Sequence, residues 1–449
     1  QAALKFAESV NSPVEKLERL ETAKGQWLIH RQTIAGQATE ALLPQLLTTM
    51  MQQLPPHKTM AWDRQYPSFS RPVRWLVALW NDQVVPWQYF GLVADRVTHG
   101  HRVHHPEPIS LKHSTDYQQA LEQGHVIAQR MARKKIIEQQ LLELNSAEAS
   151  IIEDNELLDE VTDLVEWPQV LRGQFEAQYL DLPQEVLITS MKQHQKYFAM
   201  QDAQGHIIDS FCLVANLNST NPARLVQGNE RVLHARLADA LFFYQQDCNT
   251  PTEDFLAAQD HLIFHQKLGS ITDKTKRMAS LCGQWAETFT VSSQQAEQAA
   301  LLCKFDLTSS MVGEFATLQG IMGGYYTAEQ NPVISQAIAE HYKPQSAQDT
   351  LPQTALGCLL AVADKIDTLV SLFAAGSKPS GTKDPFALRR QAISLVRMLS
   401  QNDIDISLNQ LITDANSAQT LMADQDTLAS IHHFIDERMK AWFLDQGYA

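Results

Sequence analysis

From about residue 228 to residue 445 the chain is patterned almost entirely as helix, whereas strands and helices alternate between about 157 and 220. The change comes after Asn221-Pro222. The fold class expected is therefore α+β: an α+β region over 1–240 and an all-α region over 241–449, with the boundary near 225–250. Loops break the helical half at 249–252, 343–352 and 376–385.

The first half gives finer expectations. Residues 1–53 read as helix, a short strand at Trp27–His30, then helix, with a loop after them at Pro55-Pro56. Two runs rich in β-branched and aromatic residues, Val73–Trp80 and Gln83–Phe90, flank Asn81-Asp82 and predict a hairpin. Ser114-Thr115-Asp116 caps a helix that Gly124 ends, and a basic helix spans 129–144. Gln195–Met200 and Ile207–Val214 flank Asp202-Ala203-Gln204-Gly205, a second hairpin signal.

Composition narrows the class. The five cysteines, Cys212, Cys248, Cys282, Cys303 and Cys358, are scattered with no CxxC pair, which argues against a disulfide framework or a thiolate zinc site and fits a cytoplasmic protein. The most apolar run, Ala355–Ala363, is far short of the roughly 20 residues that cross a bilayer. No signal peptide opens the chain, and it starts at Gln1 without a methionine, so it is expected to be part of a longer protein. A net charge of −15 runs against unaided nucleic-acid binding and directs attention to local basic patches.

Chemistry-bearing motifs are few. Neither a GxxxxGK[ST] loop nor GxGxxG is present. His99, His101, His104 and His105 are closely spaced, but no cysteine or carboxylate pattern accompanies them, and locally bonded loop histidines are the simpler reading. Residues 299–304 (AALLCK) fall on a helix as the second ligand element does in HD-type phosphohydrolases. There Cys303-Lys304 replaces the His-Asp pair, while a later aspartate survives as Asp364. An ammonium in place of a carboxylate repels a divalent ion, so no metal ligand and no catalytic residue is expected.

Six stretches then carry a family resemblance: 97–102 (VTHGHR), 191–198 (MKQHQKYF), 236–244 (RLADALFFY), 314–323 (EFATLQGIMG), 363–367 (ADKID) and 383–390 (KDPFALRR). The chain resembles the β subunit of the bacterial two-subunit glycyl-tRNA synthetase over essentially its whole length. The resemblance implies an editing-module-like (B3/B4-like) fold, then an HD-like helical domain. It also implies that the extreme N-terminus and the C-terminal anticodon-binding domain lie outside this chain. The expected partners are the α subunit, in an α2β2 assembly, and tRNA(Gly), with no membrane or DNA partner. No cofactor is expected here, because ATP and Mg2+ chemistry falls to the α subunit. The alternatives are an assembly subunit without RNA contact and an active HD phosphohydrolase.

The candidate tRNA-binding cations lie in local excesses of positive charge. Lys378, Lys383, Arg389 and Arg390 surround a loop that leads into a helix expected to begin at Asp384-Pro385, an arrangement suited to anions. Lys274, Lys276 and Arg277 form a second group. A third runs through Arg130, Arg133, Lys134 and Lys135. Lys192 and Lys196 sit beside Tyr197 and Phe198, a mixture that suits RNA stacking but equally a strand with its aromatics in the core. Leu237, Leu241 and Tyr244 recur at helical spacing and read as core.

Overall fold

The computed structural model describes residues 2–22, 25–33, 35–54, 58–346, 348–402 and 404–448; the Pro55-Pro56 loop lies outside them. The chain forms two compact units, Gln1–Arg130 and Met131–Ala449.

The first unit is built from short strands. Glu18–Thr22 pairs with Gly25–Ile29, matching the expected strand near Trp27, and helix Thr39–Gln53 comes next. The hairpin expected around Asn81-Asp82 forms between Leu79–Trp80 and Gln83–Val84, with Asn81 at φ 55°. Its strands are much shorter than the apolar runs, because Leu76–Val77 leaves the hairpin to pair in parallel with Leu92–Asp95. A small core of Val85, Trp87 and Ala94 results. Helix Tyr117–Gln123 ends at Gly124 as expected. The backbones of Gly100 and Gly124 pass so closely that a Cβ on Gly100 would stand 2.6 Å from the Gly124 oxygen, which explains the glycine between His99 and His101.

The second unit opens within the basic helix Arg130–Glu143, from Met131 on, and continues into a four-stranded antiparallel sheet, ordered Ala149–Ile151, Phe198–Asp202, Ile207–Ala215, Gln169–Gln174. Both faces are covered, which the period-2 pattern encodes. Phe198, Met200 and Cys212 face one layer with helix Asn155–Leu164. Tyr197, Ala199, Phe211 and Leu213 face the other, against Leu233, Leu237 and Ala240 of helix Pro222–Cys248. Asn221 caps that helix through its side chain, and Pro222 occupies its first turn. The helix is continuous to Cys248, so the transition from sheet to helices takes place along one rigid element.

Among the described residues beyond Cys248, helices predominate and the named strands form a small hairpin, Ile263–His265 with Gly269–Ser270, that the sequence pattern did not signal. The centre of this helical part is helix Ala355–Ala374, of which every residue from Leu356 to Phe373 is buried. A helix buried on all sides must be surrounded, and helices Ile271–Trp285, Ser293–Leu302, Pro332–Glu340, Leu388–Gln401, Leu408–Ser417 and Gln425–Asp445 provide the walls. Each aliphatic side chain so buried contributes about 1.5–3 kcal/mol. Among the described residues, no helix is long and apolar enough to cross a membrane.

Candidate functional site

The central helix carries charge in the middle of its buried length: Asp364, Lys365 and Asp367. Uncompensated, these groups would each cost several kcal/mol. Lys304 Nζ lies 2.7 Å from Asp364 Oδ2, and Lys274 Nζ lies 3.0 Å from both Asp364 Oδ1 and Asp367 Oδ2. Arg277 donates to Asp367 through Nε at 2.8 Å and Nη2 at 3.1 Å, and Gln419 Nε2 adds a bond of 2.8 Å. Burial alone would raise the Asp364 carboxyl, but the ammonium groups of Lys304 and Lys274 outweigh it and hold it well below 3.8. Asp367 is likewise lowered against its burial, by Lys274 and Arg277.

Cys303 and Lys304 sit just past the last turn of helix Ser293–Leu302 rather than within it. Burial pushes the Cys303 thiol up to about 12, leaving it a neutral packing group at neutral pH. Among the described residues no group of three or more His, Cys, Asp or Glu is placed to hold a metal ion.

Behind Lys304 lies Asp306, fully buried, whose Oδ2 accepts from the Gly320 amide at 2.5 Å and the Gly323 amide at 2.9 Å. Burial pushes its carboxyl up to about 6 in spite of those donors. In front of Lys304 a cavity of about 320 Å3 opens, lined by Lys274, Lys304, Asp364, Lys365 and Arg390 together with Phe264, Tyr342 and Phe386. The Lys304 ammonium stands 3.7 Å from the centre of the Tyr342 ring.

The cations singled out from the sequence divide sharply. Lys274 and Arg277 are only 3% and 8% exposed and are consumed by Asp364 and Asp367, so they are corrected from surface phosphate contacts to core ion pairs. Helix periodicity decides this: on helix Ile271–Trp285 both fall on the inward face, while Lys276 points outward and is exposed. Lys192 is held by Asp154 at 2.8 Å and Glu156 at 3.0 Å, and Lys196 by Glu160 at 2.8 Å. Tyr197 and Phe198 beside them are buried in the sheet core and offer no stacking platform. In the basic helix, Arg133 bonds the Thr162 carbonyl and Lys134 pairs with Asp159.

Lys378, Lys383 and Arg390 are exposed, and Arg389 is half-buried with Nη2 donating to the Gly381 carbonyl at 2.6 Å. The helix here begins at Leu388 instead of Asp384, with Ala387 as its cap in left-handed conformation. Asp384 still serves it from outside: its two oxygens accept from the amides of Leu388 and Arg389, both at 2.9 Å. The anion seat expected at this helix N-terminus is thus filled by the chain's own carboxylate. The preceding loop is a tight turn closed by mutual Ser380–Lys383 backbone bonds rather than a free strand of amides.

In the first unit, His101 is buried and its Nδ1 accepts from the Val103 and His104 amides, as locally bonded loop histidines do. Trp75 packs on His99 at 4.5 Å between ring centres.

The family model described as glycyl-tRNA synthetase beta subunit matches residues 1–449. The chain belongs to that family. It is 42% identical over 453 residues to the glycine–tRNA ligase beta subunit of Chromohalobacter salexigens, covering 100% of this chain and 66% of that protein. It is 38% identical over 454 residues to that of Colwellia psychrerythraea, with the same coverage. The corresponding protein of Acinetobacter baumannii is 40% identical over 441 residues, covering 97% of this chain and 64% of its own length. The chain therefore spans a little under two thirds of the length of the curated relatives it matches.

Three of the stretches that carry the beta-subunit resemblance meet at the cavity. Residues 314–323 contribute Gln319 and enfold Asp306, residues 363–367 contribute Asp364 and Lys365, and residues 383–390 contribute Phe386, Ala387 and Arg390. Sequence reasoning singled out Lys304, Asp364 and Arg390 separately. It missed Asp306, Lys365, Tyr342 and Gln419. Lys365 could have been found as a charged residue inside an otherwise apolar helix; Tyr342 and Gln419 carry no local signal.

Proposed function

We propose that this chain is the tRNA-binding, non-catalytic part of a cytoplasmic glycine–tRNA ligase. A separate α subunit, in an α2β2 assembly, would carry the glycine and ATP–Mg2+ chemistry. The chain's role is to hold tRNA(Gly) so that its acceptor end meets that active site. Positioning is a sufficient role, because effective molarities for well-oriented groups reach about 10⁵ M or more. In this reading 1–240 is an α+β region containing an editing-module-like fold, and 241–449 is an HD-like domain without hydrolytic function.

The observation that carries the reading is the Lys304 ammonium 2.7 Å from Asp364. A cation of the protein's own occupies the carboxylate that a hydrolase of the HD kind would give to its metal, which argues against an active phosphohydrolase. Exposed Lys276, Lys378, Lys383 and Arg390 supply positive charge for phosphate contact. The net charge of −15, and the pairing of Lys192, Lys196, Lys274 and Arg277 within the protein, favour the second reading, an assembly subunit without RNA contact.

Glycylation of tRNA(Gly) by a catalytic α subunit alone, with this chain, and with a full-length relative tests the proposal. Partial rescue by this chain, with affinity for tRNA that falls steeply as salt rises, is the expected result. Rescue with salt-independent or undetectable tRNA binding would hand the role to the assembly reading.

A further inference from the structure

The cavity beside Lys304 contains cations whose hydrogen-bonding capacity is not used up. Lys274 is saturated, with oxygens of Asp364, Asp367 and Thr368 at 2.8–3.2 Å around its ammonium. Lys304, only 3% exposed, has Asp364 at 2.7 Å as its single oxygen partner among the described residues, and the Tyr342 ring beside it; its third N–H has no acceptor there. Lys365, 5% exposed, donates to the carbonyls of His341 at 3.3 Å and Lys343 at 2.9 Å, again leaving one N–H over among the described residues. Arg390 stands exposed at the mouth.

The charges do not balance either. Taken together, the cations Lys274, Arg277, Lys304, Lys365 and Arg390 outnumber the carboxylates Asp306, Asp364 and Asp367, even with Lys304 and Lys274 both paired to Asp364. A buried ammonium short of an acceptor is costly, and two of them lining one cavity under a guanidinium invite a multiply charged oxyanion. At about 320 Å3 the space falls in the range of about 300–1,000 Å3 usual for small-molecule sites. Phe264, Tyr342 and Phe386 give it apolar walls, against which a group attached to the anion can pack.

We propose that this cavity is a binding site for a phosphate monoester, gripped by the ammonium groups of Lys304 and Lys365 and by the guanidinium of Arg390. The monoester belongs either to a free nucleotide or to the terminal phosphate of a nucleic-acid strand. The site does not depend on the tRNA-positioning role, since it can be filled with no tRNA in the sample.

Calorimetric titration at constant ionic strength tests it, using adenosine 5′-monophosphate and a short oligoribonucleotide with either a 5′-phosphate or a 5′-hydroxyl. At least one phosphorylated probe is expected to bind saturably at one site per chain. Arg390→Ala, a change at the surface, weakens it by about tenfold, the usual scale for one lost charged hydrogen bond. Lys365→Met weakens it as well, with circular dichroism melts confirming that each variant folds. Binding by the nucleotide alone assigns the site to a free ligand; binding by the phosphorylated oligonucleotide alone assigns it to a strand end. Failure of both phosphorylated probes, equal binding of the 5′-hydroxyl strand, or unchanged affinity in Arg390→Ala overturns the proposal.

Discussion

Lys304 and Asp364, sixty residues apart in the chain, meet at 2.7 Å in the interior, so the ammonium of one neutralises the carboxylate of the other. The pair joins the end of helix Ser293–Leu302 to the middle of the central helix. Lys304→Met leaves Asp364 with Lys274 as its remaining ammonium partner. Urea denaturation should show a loss of about 3 kcal/mol, of which Lys304→Met combined with Asp364→Asn recovers part, since the stranded charge goes too.

The two classes of cation should separate in experiment. Arg277→Ala strips Asp367 of two bonds in a dry environment and should cost about 3 kcal/mol or more in stability. Lys383→Ala and Arg390→Ala remove exposed groups and should change stability by no more than about 0.5 kcal/mol. If these two contact tRNA, each lowers the slope of log affinity against log salt by about 1. Unfolding curves and filter binding across a salt series measure the two effects independently.

Asp306 gives a pH signature. Its carboxyl is raised from 3.8 to about 6 by burial, so between those values the folded protein keeps a proton that the unfolded chain has released. Stability contributed by this group is present in full below 3.8 and lost as pH rises through 6, amounting to roughly 2–3 kcal/mol. Asp364 and Asp367 are shifted the other way, so their contribution is lost only as pH falls below about 4. Asp306→Asn should therefore flatten the stability profile between about pH 4 and 6 and leave the acid limb below it unchanged, as tracked by denaturant midpoints at each pH.

Gly320 has φ +80°, and a Cβ there would lie 2.7 Å from Tyr342 Cδ2. Gly320→Ala should thus lower stability by about 2 kcal/mol through backbone strain and displacement of the Tyr342 ring from Lys304. A fall in melting temperature, read by differential scanning calorimetry, checks it.

Much of this architecture was legible in the residues because it rests on local rules. The all-apolar run at Ala355–Ala363 became the buried centre of the bundle, and Asp202–Gly205 became the turn of a hairpin. The helix start expected at Asp384 was misplaced because a carboxylate can cap from outside the helix as well as from its first position. Lys274 and Arg277 were misjudged because a run of like charges says nothing about which members face inward. That depends on Asp367, some ninety residues away. The cavity was invisible for the same reason, its walls coming from widely separated stretches.

Asp367 takes donors from Lys274, Arg277 and Gln419, positions spread over 146 residues. A ribosome must therefore deliver the chain through Gln419 before this carboxylate has its full set of partners. Until then the bundle is held by an acid still short of one donor in a place water has left. The helical half is consequently expected to set late in synthesis and as a whole, rather than helix by helix.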